Sequence, residues 1–262
     1  MRLRLPTSAL AIALLTASGC LRLRAPATPM GATDVSPAPA PSAPCLVVFL
    51  PGRRDSPGAY RRHRFAEMAA QAGVSARFLE ADAHLGYYQA QTISGRLETD
   101  IVGPARAAGA RRIWIVGISM GGLGGLLMAR EHPDLHGVLA LAPFLGDTEP
   151  GLVAGAGGLA SWKPGPPRPV ADYERELWGW LKTYTSQGAA RPPVYVGFGL
   201  SDDLAPANRL LGDSLPAGRV FTEKGAHNWG AWTALWKQFL AAGALQRDCP
   251  LQTSPAGQRN RE

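Results

Sequence analysis

The chain has 262 residues, 46% of them hydrophobic, which is enough to bury one sizeable core without requiring a second domain. Its 27 basic and 20 acidic residues give a formal charge of +7, a modest surplus. No pattern typical of a nucleic-acid-binding module is present, so we expect a single globular domain that does not bind nucleic acid.

Residues 1–19 have the features of a bacterial export signal peptide. Arg2 and Arg4 form a positively charged start, and residues 8–16 form an apolar run that is too short to span a bilayer. The following Ala-Ser-Gly-Cys resembles the lipobox of bacterial lipoproteins, which implies Cys20 as the lipidated N-terminus and membrane anchor. The expected location is the bacterial cell envelope, on the outer membrane facing the periplasm. Ala17 stands where leucine is commonest, so secretion without an anchor is the alternative.

Two flanking segments have compositions that do not favour a packed core. Residues 20–44 are rich in Ala, Pro and Ser, which predicts a tether after the anchor site. In the polyproline II conformation, at roughly 3.1 Å per residue, it would reach about 75 Å. Residues 250–262 are polar and are predicted to be a disordered tail. The folded domain is therefore expected over residues 45–249.

Within this domain, short apolar runs alternate with helix-like segments, which is the pattern of a parallel sheet covered by helices on both faces. Strands are predicted over residues 45–50, 74–79, 112–117, 138–142, 193–199 and 219–222. Helices are predicted over or near residues 60–72, 93–108, 121–130, 206–211 and 229–240. The expected class is α/β, with about six mostly parallel strands. A Gly- and Pro-rich stretch with one helix, residues 145–192, interrupts the pattern and is interpreted as an insertion.

A serine flanked by glycines follows the most apolar strand. Gly117-Ile118-Ser119-Met120-Gly121 has the form G-x-S-x-G and lies between a predicted strand and a predicted helix. In so sharp a turn, side chains two positions before and after the serine would clash, so both positions need glycine. In this context the chain resembles the α/β-hydrolase superfamily over residues 45–240. The resemblance implies that fold, with Ser119 as a nucleophile.

The same resemblance implies an acid and then a histidine, each at the carboxyl end of a later strand. Asp202 follows the strand over residues 193–199 in a loop similar to the family's acid loop, and the neighbouring Asp203 is the alternative. His227 follows the next strand in a loop similar to the family's histidine loop and is the expected base.

Other residues are expected at the same edge of the sheet. The resemblance implies the backbone N–H of Met120 as one donor to an oxyanion, with Arg53 or Gly52 as the second. His84 and Tyr87 follow the strand over residues 74–79 and are candidates to line a pocket. For His84 the alternative is a structural role, in which hydrogen bonds with Asp82 hold the loop.

The insertion is expected to form a small cap over this site. Trp178, together with Trp162 and Trp180, would give the cap an apolar lining. The alternative is that these tryptophans belong to the core, where aromatic residues at helical spacing are common.

The resemblance also bears on the remaining cysteines, Cys45 and Cys249. In this architecture the last helix ends near the start of the first core strand, which brings the two cysteines together. Because an exported chain meets oxidising conditions, we expect a disulfide between them, with two unpaired thiols as the alternative.

The expected activity is hydrolysis of a carboxylic ester or thioester of a small-molecule acyl substrate, through an acyl-enzyme intermediate. No cluster of residues has metal-ligand spacing, so no metal or other cofactor is expected. Acyltransferases and peptidases share the same triad. A non-catalytic envelope lipoprotein that uses the fold as a binding module is the alternative from another class. The sequence makes no prediction of oligomeric state.

Overall fold

The computed structural model describes residues 24–40, 43–165, 173–186 and 191–251. The predicted signal peptide, Cys20 and residues 252–262 lie outside the described residues, as do parts of the insertion. The described strands are β1 (Ala32–Asp34), β2 (Cys45–Leu50), β3 (Arg77–Ala81), β4 (Arg112–Ile118), β5 (Gly137–Leu141), β6 (Val194–Gly199) and β7 (Val220–Glu223).

The helices surround this sheet. They are α1 (Ala59–Arg62), α2 (Phe65–Gln71), α3 (Leu85–Gln89), α4 (Ile93–Leu97), α5 (Gly103–Ala107), α6 (Met120–Glu131), α7 (Glu149–Gly155), α8 (Tyr173–Leu181), α9 (Ala205–Gly212), α10 (Trp229–Ala241) and α11 (Ala244–Asp248). A π-helical turn, Glu98–Val102, joins α4 to α5, and a 3₁₀ turn, Lys182–Thr185, follows α8. In the described parts of the chain, no helix combines the length and hydrophobicity needed to cross a membrane.

The seven strands form one sheet in the order β1-β3-β2-β4-β5-β6-β7. All neighbours from β3 to β7 pair in parallel, and only β1 is antiparallel. Every residue of β2 and β5 is buried, as expected for central strands covered on both faces. One face packs against α1, α2, α10 and α11, and the other against α3 to α6, α8 and α9. The α/β class with a mostly parallel sheet is confirmed, with seven strands instead of six.

The additional strand comes from the segment predicted to be a tether. Over residues 24–40 this segment packs on the domain: β1 pairs with β3, and the side chains of Met30 and Val35 are only 3% and 6% exposed. The Met30 N–H donates to the Asp100 carboxylate (2.7 Å), and Arg24 forms an ion pair with Asp82. The prediction of an extended tether was therefore wrong for these residues. A three-residue strand and two isolated apolar side chains leave no periodic signal in an Ala- and Pro-rich stretch.

Two predicted helices are broken, and one strand is shifted. The helix predicted over residues 60–72 is divided into α1 and α2 at Arg64, which has a left-handed backbone conformation (φ 57°). The helix predicted over residues 93–108 contains the π-helical turn. Strand β3 begins later than predicted, because Val74 makes an isolated bridge with Pro250 instead of joining the sheet.

The predicted disulfide between Cys45 and Cys249 is present. The two Cα atoms are 5.7 Å apart, within the range for a disulfide, and the residues are separated by 204 positions in sequence. The bond connects the start of β2 to the end of α11, so it ties the amino-terminal edge of the sheet to the last helix. On the chain-entropy model, a crosslink closing a loop of this length restricts the unfolded chain by about 5 kcal/mol.

We expect Met30→Ala and Val35→Ala each to lower the free energy of unfolding by about 2 kcal/mol, because each removes buried side-chain atoms from the sheet edge. Urea denaturation followed by tryptophan fluorescence measures this. Ala38→Ser, at an exposed position of the same segment, is the control and should stay within about 0.5 kcal/mol. If all three variants matched the parent, the segment would be an unpacked tether.

Candidate functional site

Ser119 stands at a sharp bend between β4 and α6. Its backbone dihedrals are φ 56° and ψ −115°, a conformation that residues other than glycine rarely adopt. The backbone hydrogen bonds of Ser119 hold this conformation: its N–H donates to the carbonyl of Leu141 (2.8 Å), and its carbonyl accepts from the N–H of Phe144 (3.0 Å). Leu141 is the last residue of the adjacent strand β5 and Phe144 lies three positions beyond it, so the bend is fixed against the end of the sheet.

The glycines on either side of Ser119 are a steric requirement. A Cβ atom on Gly117 would overlap the backbone of Gly121, and one on Gly121 would overlap the carbonyl of Leu50. These backbone atoms have no room to move, since they belong to the bend and to the end of β2. The close approach places the start of α6 directly against the end of β2.

Asp202 and His227 lie side by side at the same edge of the sheet. Asp202 follows β6 and His227 follows β7, and the His227 Nδ1 is 2.7 Å from an Asp202 carboxylate oxygen. The Asp202 side chain is completely buried, and its other oxygen accepts from the N–H of Leu204 (2.9 Å). The His227 side chain is 34% exposed. The neighbouring Asp203 is exposed, and His227 is bonded to Asp202 instead.

Ser119 shares this edge because β4, β6 and β7 are parallel and each of the three residues follows the carboxyl end of its strand. Within the described residues, the Ser119 hydroxyl makes no hydrogen bond, to His227 or to any other group. In sites without substrate, hydrogen bonds between such groups are often long and shorten only in the reacting complex.

Asp55 links the loop after β2 to the loop that carries His227. One of its carboxylate oxygens accepts from the Trp229 indole N–H (3.0 Å), and the other accepts from the backbone N–H of Gly52 (2.8 Å). Gly52 is next to the bend, since a Cβ on it would be 3.5 Å from the Cβ of Ser119. Asp55 therefore fixes the histidine loop beside the serine bend. No sequence pattern indicates this residue, because its partner Trp229 is 174 positions away.

Within the described part of the chain, the backbone N–H groups of Met120 and Arg53 make no hydrogen bond. Met120 is the first residue of α6, where a backbone N–H has no partner within the helix. The N–H of Gly52 is occupied by Asp55, whereas the N–H of Arg53 makes no hydrogen bond to any described residue. Met120 and Arg53 both line the cavity that contains Ser119. Of the two candidates for the second donor, Gly52 and Arg53, only Arg53 has an N–H group without a partner among the described residues.

A cavity of about 670 Å³ opens beside Ser119, a volume typical of sites for small molecules. Its walls come from α3, α4, α6 and the insertion. Its lining includes Tyr88, Ile93, Leu123, Leu127, Phe144 and Tyr173. The hydroxyl of Tyr88 is buried without a hydrogen-bond partner, and burial raises the pKa of this group above its usual value.

The three residues predicted to line a pocket do not line this cavity. Tyr87 is fully buried, and its hydroxyl donates to the carbonyl of Ala27 (3.0 Å). Trp178 is fully buried, and its indole N–H donates to the carbonyl of Leu145 (2.8 Å). His84 caps α3 by accepting from the N–H of Gly86 (3.2 Å), and it borders a separate, smaller cavity. Burial, followed by the nearby Arg24, lowers the pKa of His84.

For the two aromatic residues, the physical reason is helix register, whereas His84 is held in place as the N-cap of α3. Tyr88, one position after Tyr87, is the tyrosine of α3 that reaches the cavity, and Trp178 lies on the face of α8 that packs into the core. The insertion contributes Tyr173 and Glu176 to the cavity wall, while Trp162 is buried in the core. Among the described residues, no group of three or more His, Cys, Asp or Glu side chains is arranged to hold a metal ion.

Comparisons with known proteins agree with this architecture. The model of the Esterase family, described as "Putative esterase", matches residues 88–242, more than half of the chain. Similar solved structures include Est1E from Butyrivibrio proteoclasticus with ferulic acid bound, which is 19% identical with a TM-score of 0.54, over 81% of this chain and 94% of that one. No curated protein matched the sequence.

Two further solved structures have the same fold. S-formylglutathione hydrolase (FrmB) from Staphylococcus aureus is 15% identical with a TM-score of 0.53, over 76% of this chain and 80% of that one. The monoacylglycerol lipase of Paleococcus ferrophilus is 17% identical with a TM-score of 0.52, over 81% and 99%. At sequence identities this low, the structural similarity shows the fold alone. It confirms the predicted α/β-hydrolase fold.

We expect Gly121→Ala to lower the free energy of unfolding by about 3 kcal/mol or more, because the added methyl group has to displace the backbone of β2. Thermal or urea unfolding measures this. Gly151→Ala in α7 is the matched control, since a Cβ there meets no atom within 4 Å. It should be neutral or stabilising by up to about 1 kcal/mol. Equal stability of the two variants would contradict the described packing of the bend.

Proposed function

The chain belongs to the Esterase family, and on this premise we propose that it cleaves a carboxylic ester or thioester through a triad of Ser119, His227 and Asp202. Family membership identifies it as a carboxylic ester hydrolase. The main support for this triad is the hydrogen bond between His227 and the buried Asp202. It lies at the sheet edge where Ser119 occupies its strained bend.

In the proposed first half-reaction, the Ser119 oxygen attacks the acyl carbon while the Nε2 of His227 accepts the hydroxyl proton. The carbonyl oxygen becomes an oxyanion, which accepts hydrogen bonds from the N–H groups of Met120 and Arg53. The intermediate then collapses. The bond to the leaving group breaks, and His227 returns its proton to the departing alcohol or thiol.

In the second half-reaction, water attacks the acyl group on Ser119, and His227 again removes the proton. Collapse of the second intermediate releases the carboxylic acid and restores the serine hydroxyl. Throughout the cycle, Asp202 holds the Nδ1–H of His227, so the opposite ring nitrogen faces the reaction, and it stabilises the imidazolium ion when that forms. Because its second oxygen is held by Leu204, the carboxylate has a fixed orientation.

Asp55 contributes by positioning and does not contact the reacting atoms. Hydrogen bonds between a carboxylate and N–H groups are stronger than those between neutral partners. By accepting from Trp229 and Gly52 together, Asp55 holds the histidine loop and the loop of Arg53 in one arrangement. The oxyanion donors are therefore in place before substrate binds, which is the condition for effective electrostatic catalysis. Nothing in the family match favours the alternative of a non-catalytic binding module.

The triad is tested by the hydrolysis of p-nitrophenyl butyrate. We expect Ser119→Ala and His227→Ala each to lower kcat by at least about 10⁴-fold, and Asp202→Asn by about 10² to 10⁴-fold, since the imidazole loses its orientation. Asp203→Asn is the matched control and should stay within about twofold, because Asp203 is exposed and not bonded to His227. Comparable losses at Asp202 and Asp203, in variants with unchanged circular dichroism, would contradict the assignment of the acid.

We also propose that the chain is exported and anchored in the bacterial cell envelope through a lipid on Cys20. The support is the signal-like composition of residues 1–19, and the Cys45–Cys249 disulfide, which fits an oxidising compartment. The packing of residues 24–40 against the domain shortens the expected distance between the lipid anchor on Cys20 and the folded domain. Cys20 precedes the ion-paired Arg24 by four positions, which span at most about 14 Å. An anchored domain would therefore be held close to the membrane surface.

Metabolic labelling with radioactive palmitate tests the anchor. We expect label in the parent protein, none in Cys20→Ala, and accumulation of the unprocessed precursor when globomycin is added. Cys45→Ala is the control, because its loss breaks the disulfide and leaves the anchor site intact. Unlabelled protein recovered from the culture medium would contradict the proposal and favour simple secretion.

A further inference from the structure

The cavity beside Ser119 extends as a groove along one whole face of α6. Five α6 residues line it, each three or four positions from another, so they share one face of the helix: Met120, Leu123, Leu127, Arg130 and Glu131. At about 1.5 Å per residue, the groove runs about 12 Å from Ser119 to Leu127 and about 16 Å to Arg130.

The two ends of this groove differ in chemistry. Between Ser119 and Leu127 the lining includes the apolar side chains of Met120, Leu123, Leu127, Ile93 and Phe144. The polar residues Arg53, Gln89, Gln91 and Ser94 also line the cavity. At the far end Arg130 is ion-paired with Glu176 (3.0 Å) of α8 and with Glu131 (3.3 Å). An apolar group that reached this cluster would displace water from paired charges without replacing their hydrogen bonds. The cluster therefore marks the end of the apolar site.

The residues that line the groove indicate which part of a substrate it would hold. Ser119, Met120 and Arg53 line it, whereas no residue of the loops carrying Asp202 and His227 does. In the proposed mechanism His227 donates a proton to the leaving group, so the leaving group has to lie on the histidine side. The remaining part of the substrate, the acyl chain, then extends along α6.

We propose that the preferred substrate is an ester of a medium-length apolar acid, with about 8 to 10 carbons in the acyl chain. This inference rests on the proposed function. An extended chain of that length covers the roughly 12 Å from Ser119 to Leu127 and stops before the charged cluster. Because each buried methylene group stabilises the complex appreciably, the dependence of rate on chain length should be steep.

The test uses the full chain and p-nitrophenyl esters from C2 to C16, which share one leaving group and differ only in the acyl chain. We expect kcat/KM to rise at least tenfold from C4 to C8 or C10 and to fall beyond C12. Assays below the critical micelle concentration of each ester separate chain length from interfacial effects.

Gly95→Phe tests the location of the site. Gly95 is an exposed residue of α4 that lines the groove, and a Cβ on it meets no atom within 4 Å, so a larger side chain fills empty space. The C10 to C4 ratio of kcat/KM should fall at least tenfold. Leu127→Trp narrows the groove from the α6 side and should act in the same direction. Gly151→Phe, at an equally open helical glycine outside the groove, is the matched control and should keep the parent ratio.

The outcomes separate this inference from the proposed function. The acyl groove would be overturned if kcat/KM were highest for the C2 ester or did not depend on chain length. It would also be overturned if the C10 to C4 ratio of kcat/KM stayed the same in Gly95→Phe and Leu127→Trp. In that case hydrolysis that still depends on Ser119 would leave the proposed function intact. Absence of any hydrolysis dependent on Ser119 would overturn both.

Discussion

The close contact between Gly121 and the end of β2 determines the geometry of the whole site. It allows the chain to reverse from β4 into α6 within a few residues, with Ser119 left in a conformation that costs about 1 to 3 kcal/mol. Hydrogen bonds to Leu141, the last residue of β5, and to Phe144 in the loop that follows hold the serine there against that cost. The same contact brings the start of α6 beside the loop of Arg53. The helix then runs away from Ser119. The proposed oxyanion donors and the proposed acyl groove along α6 both depend on this one bend.

The parallel sheet gathers loops that are distant in sequence, and single side chains then fix them relative to one another. Asp55 does this at the carboxyl edge, where it accepts from Trp229 and Gly52 and joins the loops that follow β2 and β7. At the opposite edge the Cys45–Cys249 disulfide connects the start of β2 to the last helix. Strand β2 is therefore tied at both ends to the carboxyl-terminal part of the domain. This arrangement suits a site in which a serine and a histidine from different strands have to keep a constant separation.

The parts of the fold that the sequence predicted are those with strong local causes. Strands buried on both faces are continuous apolar runs, and the glycines around Ser119 are required by steric contact, so both were predictable. Strand β1 was not, because three residues pairing at a sheet edge leave almost no pattern. Among the site residues, adjacent tyrosines illustrate the limit: Tyr88 reaches the cavity while Tyr87 is buried against Ala27, a difference of helix register that composition does not encode. The role of Asp55 depends on contacts formed only after folding.

The most direct measurement for the central claim is the site of reaction with a fluorophosphonate, which forms a covalent bond only with an activated serine. Intact-mass analysis of the folded enzyme should show one adduct per chain, and peptide mapping should place it on Ser119. The adduct should be absent after urea unfolding, because activation depends on the bend and on His227. A folded protein that fails to react, or an adduct on a different residue, would contradict the account.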